Sequence, residues 1–360
     1  MKVYKVLGMM SGTSLDGLDL AFCHFSKTEQ GKWNFSIEKT KAISYNSDWK
    51  NRLKNAIHLS EEDHTILDKE YGVWLGEQAK QFLEENNLAV DFIASHGHTS
   101  HHRPEEGFTF QLGNGKLLAN TSGCKVICDF RTKDIKLGGQ GAPLVPIGDH
   151  LLFGEYDFCL NLGGISNVSF EKDGFRKALD IGMANMPLNF LTQQINLEYD
   201  KNGQLARSGK LLPKLNSALD ELEYYKLPHP KSTGYEWFLA EVVPLLEKSE
   251  GNIPDLLHSL IRHNCEQIAR EINKFSSKTS NTIFVTGGGA FNSFFIETLQ
   301  EKLGDSFEVK IPDKTLIAFK EALVFALMGI LREENETNIF ASVTGATQNS
   351  CSGEVFLSES

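Results

Sequence analysis

The sequence predicts a two-domain α/β protein, and three observations carry that prediction. A strand, glycine-turn, strand unit occurs twice, at residues 3–25 and again at 158–180, once in each half of the chain. Strand-like and helical segments alternate after each unit, the pattern of helices packed on a largely parallel sheet. With 360 residues and 41% hydrophobic content there is ample material for a core, and that length favours two domains over one.

The elements follow in order. Residues 2–9, 18–25 and 33–45 read as strands joined by short polar turns, an antiparallel meander. Residues 48–58 and 63–86 are helical in pattern, the second with Ile66, Leu67, Tyr71, Trp74, Leu75 and Ala79 at three- and four-residue steps. A buried strand at 92–95, a short helix at 115–121 and a strand at 125–128 come next. Gly138-Gly-Gln-Gly-Ala-Pro143 interrupts both periodicities and is the expected domain boundary. Beyond it come strands at 158–162, 168–171 and 176–180, then helices at 186–198, 212–222, 234–248 and 253–275. A strand at 282–285 runs through Thr286-Gly-Gly-Gly-Ala-Phe-Asn292 into a helix at 294–303.

Composition narrows the function. A net charge of −11 argues against a nucleic-acid surface. The longest dense apolar run, residues 322–331, is too short to span a bilayer and follows Lys320-Glu321, so no membrane association is expected. Met1-Lys2 leads straight into the first strand, leaving no room for a signal peptide. Six scattered cysteines show no zinc-type pairing, and disulfides are not expected. A cytoplasmic location fits these features.

The chemistry is concentrated in glycine loops. In Gly8-Met-Met-Ser-Gly-Thr-Ser-Leu-Asp-Gly-Leu-Asp19, the glycines let the backbone approach a ligand, and Ser11, Thr13, Ser14 and the local N–H groups can donate to phosphate. Asp16 is placed for a magnesium ion bridging to that phosphate. By itself the turn is equally an ordinary hairpin. Gly163-Gly-Ile-Ser-Asn167 repeats it, and two such hairpins facing across a cleft can hold a polyphosphate from both sides. The loop at 286–292 places bare glycine backbone before a helix N-terminus, a geometry suited to a nucleotide. Neither the dinucleotide fingerprint nor the P-loop spacing is present. His96, His98, His101 and His102 lack the companion ligands of a metal site and read as a loop lining substrate.

These residues resemble the anhydro-N-acetylmuramic acid kinase family along nearly the whole chain. The similar segments are Gly8-Met-Met-Ser-Gly-Thr-Ser-Leu-Asp-Gly17, Ser95-His-Gly-His-Thr99, Asp129-Phe-Arg with Asp134, and Gly138-Gly-Gln-Gly-Ala-Pro-Leu-Val-Pro146. Asn161-Leu-Gly-Gly-Ile-Ser-Asn167, Tyr199-Asp with Gly203, Pro230-Lys-Ser-Thr-Gly234, Gly287-Gly-Gly-Ala-Phe-Asn292 and Ser342-Val-Thr-Gly-Ala346 continue the match. The resemblance implies a two-domain actin-like, ribonuclease H-like ATPase fold with a nucleotide cleft. Residues 1–138 with 321–360 would form one domain and 139–320 the other. It further implies ATP-dependent opening of 1,6-anhydro-N-acetylmuramic acid by water with phosphorylation of O6, in cell-wall recycling, and a homodimer.

Roles follow from the same resemblance. Nucleotide contacts are expected from Gly12, Thr13, Ser14, Leu15, Asp16, Gly17, Leu18 and Asp19 of the first hairpin, from Asn161, Gly163 and Gly164 of the second, and from Gly287, Gly288, Gly289 and Asn292. Sugar contacts are expected from Ser95, His96, Gly97, His98, Arg131, Gln140 and Asn185. Asp180 matches the catalytic base, its plain alternative being an N-cap for the following helix. Arg131 is the catalytic cation for carboxylate or phosphate, against a surface ion pair with Asp129 or Asp134. The chain reads Asp180-Ile-Gly-Met-Ala-Asn185 where the family has Asp-Thr-Gly-Pro-Gly-Asn, and His98 stands in place of glutamine. A kinase for another amino or anhydro sugar, or an ATP-switched binding module, are the alternatives this leaves open.

Overall fold

The computed structural model describes residues 2–229, 231–276 and 278–359; Met1, Pro230, Ser277 and Ser360 lie outside the described residues. The chain divides into two compact units, Met1–Leu152 with Phe319–Ser360, and Phe153–Ala318. The boundaries therefore differ from the sequence expectation at 138/139 and 320/321. The reason for the first is local: Asp134, fully buried, accepts from Gly141 N–H at 2.8 Å and from Thr344 Oγ1 at 2.8 Å, stitching the glycine segment into the first unit.

In the first unit, β1 (Val3–Ser11) pairs antiparallel with β2 (Gly17–Lys27), which pairs antiparallel with β3 (Trp33–Ser44). On its other side β1 runs parallel to β4 (Phe92–Arg103), with Val6 opposite Phe92. β5 (Phe108–Leu112) folds back on the end of β4, and β6 (Val126–Cys128) lies parallel to β4. A C-terminal strand, Glu354–Phe356, closes that edge antiparallel to β6. Val6, Leu7 and Met9 of β1 are all buried, as a central strand covered on both faces requires. β3, the edge strand, alternates outward and carries Lys39 and Lys41, which discourage pairing with a further strand.

Helix Glu61–Glu85 covers one face. Ser60 caps it by accepting Asp63 N–H, and three acids fill its first turn. Its buried Leu67, Tyr71, Leu75, Ala79 and Phe82 join the core under β1 and β2. Residues 322–328 of helix Lys314–Glu333 are buried to within 1% of completely, so the apolar run seen in the sequence is core. No described helix is long and apolar enough to cross a membrane. A Cβ on Gly8 would stand 1.9 Å from Ala322 O, so glycine in β1 is what lets this helix lie against the sheet.

The second unit repeats the plan. β7 (Phe158–Leu162), β8 (Ile165–Lys172) and β9 (Phe175–Met183) form an antiparallel meander, and β10 (Asn281–Thr286) and β11 (Phe307–Lys310) extend it in parallel from β7. The order β9-β8-β7-β10-β11 matches β3-β2-β1-β4-β6 of the first unit. That is the duplicated ribonuclease H-like sheet of the actin-like fold. Helix Ile253–Phe275, capped by Asn252, packs Leu256, Leu257, Leu260, Ile261, Ile268 and Ile272 into this unit's core. None of the six cysteines is joined in a disulfide among the described residues.

Two elements run longer than their sequence pattern. β4 continues through the histidine segment, because β5 pairs with it from His98 to Arg103; that segment is a hairpin and not a loop. β9 continues past Asp180 to Met183, with Gly182 opposite Ser166.

Candidate active site

The first hairpin turn leaves Thr13, Ser14 and Asp16 exposed at its tip, with Leu15 at φ +60° and its N–H bonded to Gly12 O at 3.2 Å. These are free to meet a ligand. Ser11 is different from its expected role as a phosphate donor. It is buried, accepts from Tyr45 OH at 2.7 Å and lies 2.9 Å from His98 Nδ1. With the Tyr45 hydrogen committed to Ser11, Tyr71 OH donates to Tyr45 at 2.6 Å, and Ser11 Oγ shares one hydrogen with His98 Nδ1. Burial pushes the His98 pKa down to about 4, so the ring sits neutral in this chain of hydroxyls at pH 7. Leu18 is also buried, in the core, so only its backbone can face a nucleotide.

Asp19 follows the turn, its pKa raised to about 6 by burial and by the charges of Glu321 and Asp16. Glu321 was not singled out from the sequence as a site residue. Its signal was there: a Lys-Glu pair inside an otherwise apolar helix. Lys320 is accounted for by a 2.7 Å ion pair with Asp149, both side chains 6% exposed. Glu321 instead shares the surroundings of Asp19 and of Arg131.

Arg131 forms no ion pair with Asp129 or Asp134 among the described residues. Asp129 caps Thr132 N–H at 3.1 Å, and both oxygens of Asp134 are taken by Gly141 and Thr344. Arg131 Nε donates to His96 Nε2 at 2.9 Å and its Nη1 donates to Gly141 O at 2.6 Å. Desolvation pushes its pKa down to about 10 against the pull of Glu321 and Asp134. The other Nη has no protein partner in the described residues, which leaves it for an anionic ligand. His96, 4% exposed, has both ring nitrogens engaged, so it meets Arg131 and not a sugar.

Around these sit the remaining expected sugar contacts. Ser95 is buried and accepts Gly97 N–H at 3.3 Å. Gly97 adopts φ +73°, and a Cβ there would be 2.4 Å from Leu112 O. Gln140 is anchored through its N–H to Thr344 O at 2.8 Å, with its side chain exposed. The outer histidines are occupied by neighbours: Ser100 Oγ lies 2.9 Å from His64 Nε2 and 3.1 Å from His101 Nδ1, and His102 Nδ1 lies 3.2 Å from Thr109 Oγ1.

In the second unit the two glycine loops are brought together. Gly287, at φ +82°, has Asn161 Oδ1 and the Leu162 backbone where a Cβ would be, at 2.6–2.8 Å. Asn185 Nδ2 donates to Leu162 O at 2.8 Å, and its N–H donates to Gly163 O at 3.0 Å. Gly164 and Gly288 are exposed, while Gly289 is buried against Leu162 and near Asn185 Oδ1. Asn292 has its side-chain oxygen committed to capping helix Ser293–Leu303, accepting Phe295 N–H at 3.0 Å.

Asp180 stands in β9 directly opposite Asn167, the last residue of the second hairpin. It does not cap a helix; Ala184 occupies the N-cap of helix Asn185–Gln193. Its carboxylate Oδ2 accepts from Ser232 Oγ at 3.0 Å and Thr233 N–H at 3.4 Å. Burial raises its pKa above the usual aspartate value, and those two bonds oppose the rise. The departures at Ile181 and Ala184 are both fully buried in the core, so their side chains do not meet a ligand.

A sheet order used twice, each time opening on its own glycine hairpin, places this chain in the actin-like fold class. A family model described as anhydro-N-acetylmuramic acid kinase matches residues 4–358. Anhydro-N-acetylmuramic acid kinases from Actinobacillus pleuropneumoniae (33% identical, 97% of this chain and 98% of that protein) and Aliivibrio fischeri (32%, 98% and 99%) align over essentially their full lengths. The chain belongs to the anhydro-N-acetylmuramic acid kinase family. Among solved structures, the activator of 2-hydroxyisocaproyl-CoA dehydratase from Clostridium difficile with bound ADPNP aligns over 92% of this chain and 97% of its own, with a TM-score of 0.44 and 12% identity.

Proposed function

We propose that this kinase opens 1,6-anhydro-N-acetylmuramic acid with water and transfers the γ-phosphoryl of ATP to the freed O6, acting in the cytoplasm in peptidoglycan recycling. The observation that supports it is Asp180, a half-buried carboxylate set across the strand pair from the second glycine hairpin. Asp180 takes a proton from water as the water oxygen bonds to the anomeric carbon and the bond from that carbon to O6 breaks. O6 then bonds to the γ-phosphorus as the bond to the β-phosphate oxygen breaks, giving ADP and the 6-phosphate. No covalent enzyme intermediate is needed, and the protein's share is position and charge.

Arg131 supplies a fixed positive charge for the sugar's carboxylate or the transferring phosphoryl group. Thr13, Ser14 and the hairpin backbone hold phosphate oxygens in the first unit, and the loops at 163–164 and 287–289 serve the nucleotide in the second. Asp16, exposed at the hairpin tip, would hold a magnesium ion together with the ATP phosphates; the neighbouring Asp19 carboxyl, pushed up by burial and by the charges of Glu321 and Asp16, has no cation paired to it among the described residues. When bound with ATP, magnesium neutralises charge developing on the phosphates.

Phosphorus NMR with ATP, magnesium and 1,6-anhydro-N-acetylmuramic acid tests the reading. A sugar 6-phosphate is expected, with ATP turnover dependent on the sugar. Phosphorylation of a different sugar while the anhydro sugar is left intact would overturn it.

A further inference from the structure

Asp180 is held by a segment that is itself anchored from below. Ser232 Oγ and Thr233 N–H both bond to Oδ2, at 3.0 and 3.4 Å, so Oδ1 carries no bond to a described residue. The main-chain oxygen of Asp180 accepts from Tyr224 OH at 3.1 Å. Lys231, its side chain 2% exposed, donates to Tyr224 O at 3.3 Å, stands 4.8 Å over the Tyr224 ring, and lies 3.6 Å from Glu271 Oε1. Glu271, on helix Ile253–Phe275 and 4% exposed, also takes His229 Nε2 at 2.7 Å and Lys274 at 2.8 Å. One buried carboxylate thus grips His229 and Lys231, and the next two residues grip the Asp180 carboxylate.

We infer that Ser232 and Thr233, tied down through Lys231 and His229 to Glu271, are positioning residues for Asp180, leaving Oδ1 as the single oxygen free to accept a proton. This rests on the reading of Asp180 as the base. A buried ion pair contributes little net stability over an apolar replacement, so stability alone is a weak reason for placing Lys231 and Glu271 here. A carboxylate with one oxygen tied keeps one lone-pair direction on the attacking water, where small misplacements are costly. The ionisable groups around Asp180 are Tyr224, whose phenol is pushed up by burial first and then by the charge of Asp180, with Lys231, Glu271 and His229 behind it. No charged side chain pairs with Asp180 directly among the described residues, so its proton affinity is set by burial against those two hydrogen bonds.

The test is the titration of the Asp180 carboxyl by carbon-13 NMR, with Asp180→Asn assigning the signal, alongside the pH profile of kcat. Ser232 is exposed, so Ser232→Ala is not limited by folding. It should move the Asp180 midpoint and the acid limb of kcat up by about one pH unit and lower kcat about tenfold, with both KM values unchanged. Ser232→Thr should restore both, and Glu271→Gln should shift the midpoint in the same direction as Ser232→Ala. A wild-type midpoint and wild-type kcat in Ser232→Ala would overturn the inference. Turnover retained by Asp180→Asn would instead remove the base reading, while the effect of Ser232→Ala on the carboxyl titration is judged independently of it.

Discussion

Arg131 Nε donates to His96 Nε2 at 2.9 Å, while His96 Nδ1 lies 2.9 Å from Gly97 O. A carbonyl only accepts, so Nδ1 carries the ring hydrogen and Nε2 is the bare acceptor. Burial, reinforced by the Arg131 charge, holds this imidazole neutral well below the usual histidine pKa. The ring aims the guanidinium, whose Nη1 is fixed by Gly141 O.

His96→Leu leaves the Nε–H of Arg131 without its partner and the guanidinium free to turn. Losing a hydrogen bond to a charged group costs about 1.5–3 kcal/mol, so kcat/KM should fall roughly tenfold to a hundredfold. Steady-state kinetics check this, and a wild-type kcat/KM would show that Arg131 needs no such guide.

His98 makes stability depend on pH. Its folded pKa is lowered from 6.5 to about 4, so between those values the unfolded chain binds a proton that the native chain refuses. Stability is full above about pH 6.5 and falls with acid, by roughly 3 kcal/mol for this residue once pH is below 4. Urea unfolding at pH 7 and pH 5 should show the loss, and His98→Gln should flatten it.

Asp180→Asn should reduce turnover by about 10²–10⁴-fold, the range of a general base, while nucleotide affinity stays nearly constant. Calorimetric titration with an ATP analogue, beside the kinetic assay, separates the two effects. Equal loss of both would make Asp180 a binding residue.

Gly8→Ala tests the packing of helix Lys314–Glu333 on β1. The new methyl would lie 1.9 Å from a backbone oxygen, Ala322 O, which cannot swing aside like a side chain. A destabilisation of about 3 kcal/mol is expected in denaturant unfolding. A change under about 0.5 kcal/mol would mean that the helix shifts freely.

Much of this was legible in the chain. Helix Ile253–Phe275 has the bounds its periodicity indicates, because an amphipathic stripe between Asn252 and the end of its apolar register is a local property. β4 was read short because His96, His98, His101 and His102 have no apolar alternation; pairing with β5 overrides that local signal. Gly138 to Pro143 carries every mark of a linker, yet the Asp134 carboxylate, invisible to composition, binds it into the first unit.

By itself the sequence determined the repeated strand, glycine-turn, strand unit with its two hairpins, and it singled out Asp180 as the carboxylate to test, since these depend on turn chemistry and on residues adjacent along the chain. Only the tertiary structure decided that Ser11 is spent on His98, that His96 serves Arg131, and that Ser232, 52 residues away from Asp180, holds its carboxylate. A side chain's hydrogen-bond partner is chosen by which segments the fold brings within about 3 Å, and local sequence patterns carry no record of that distance.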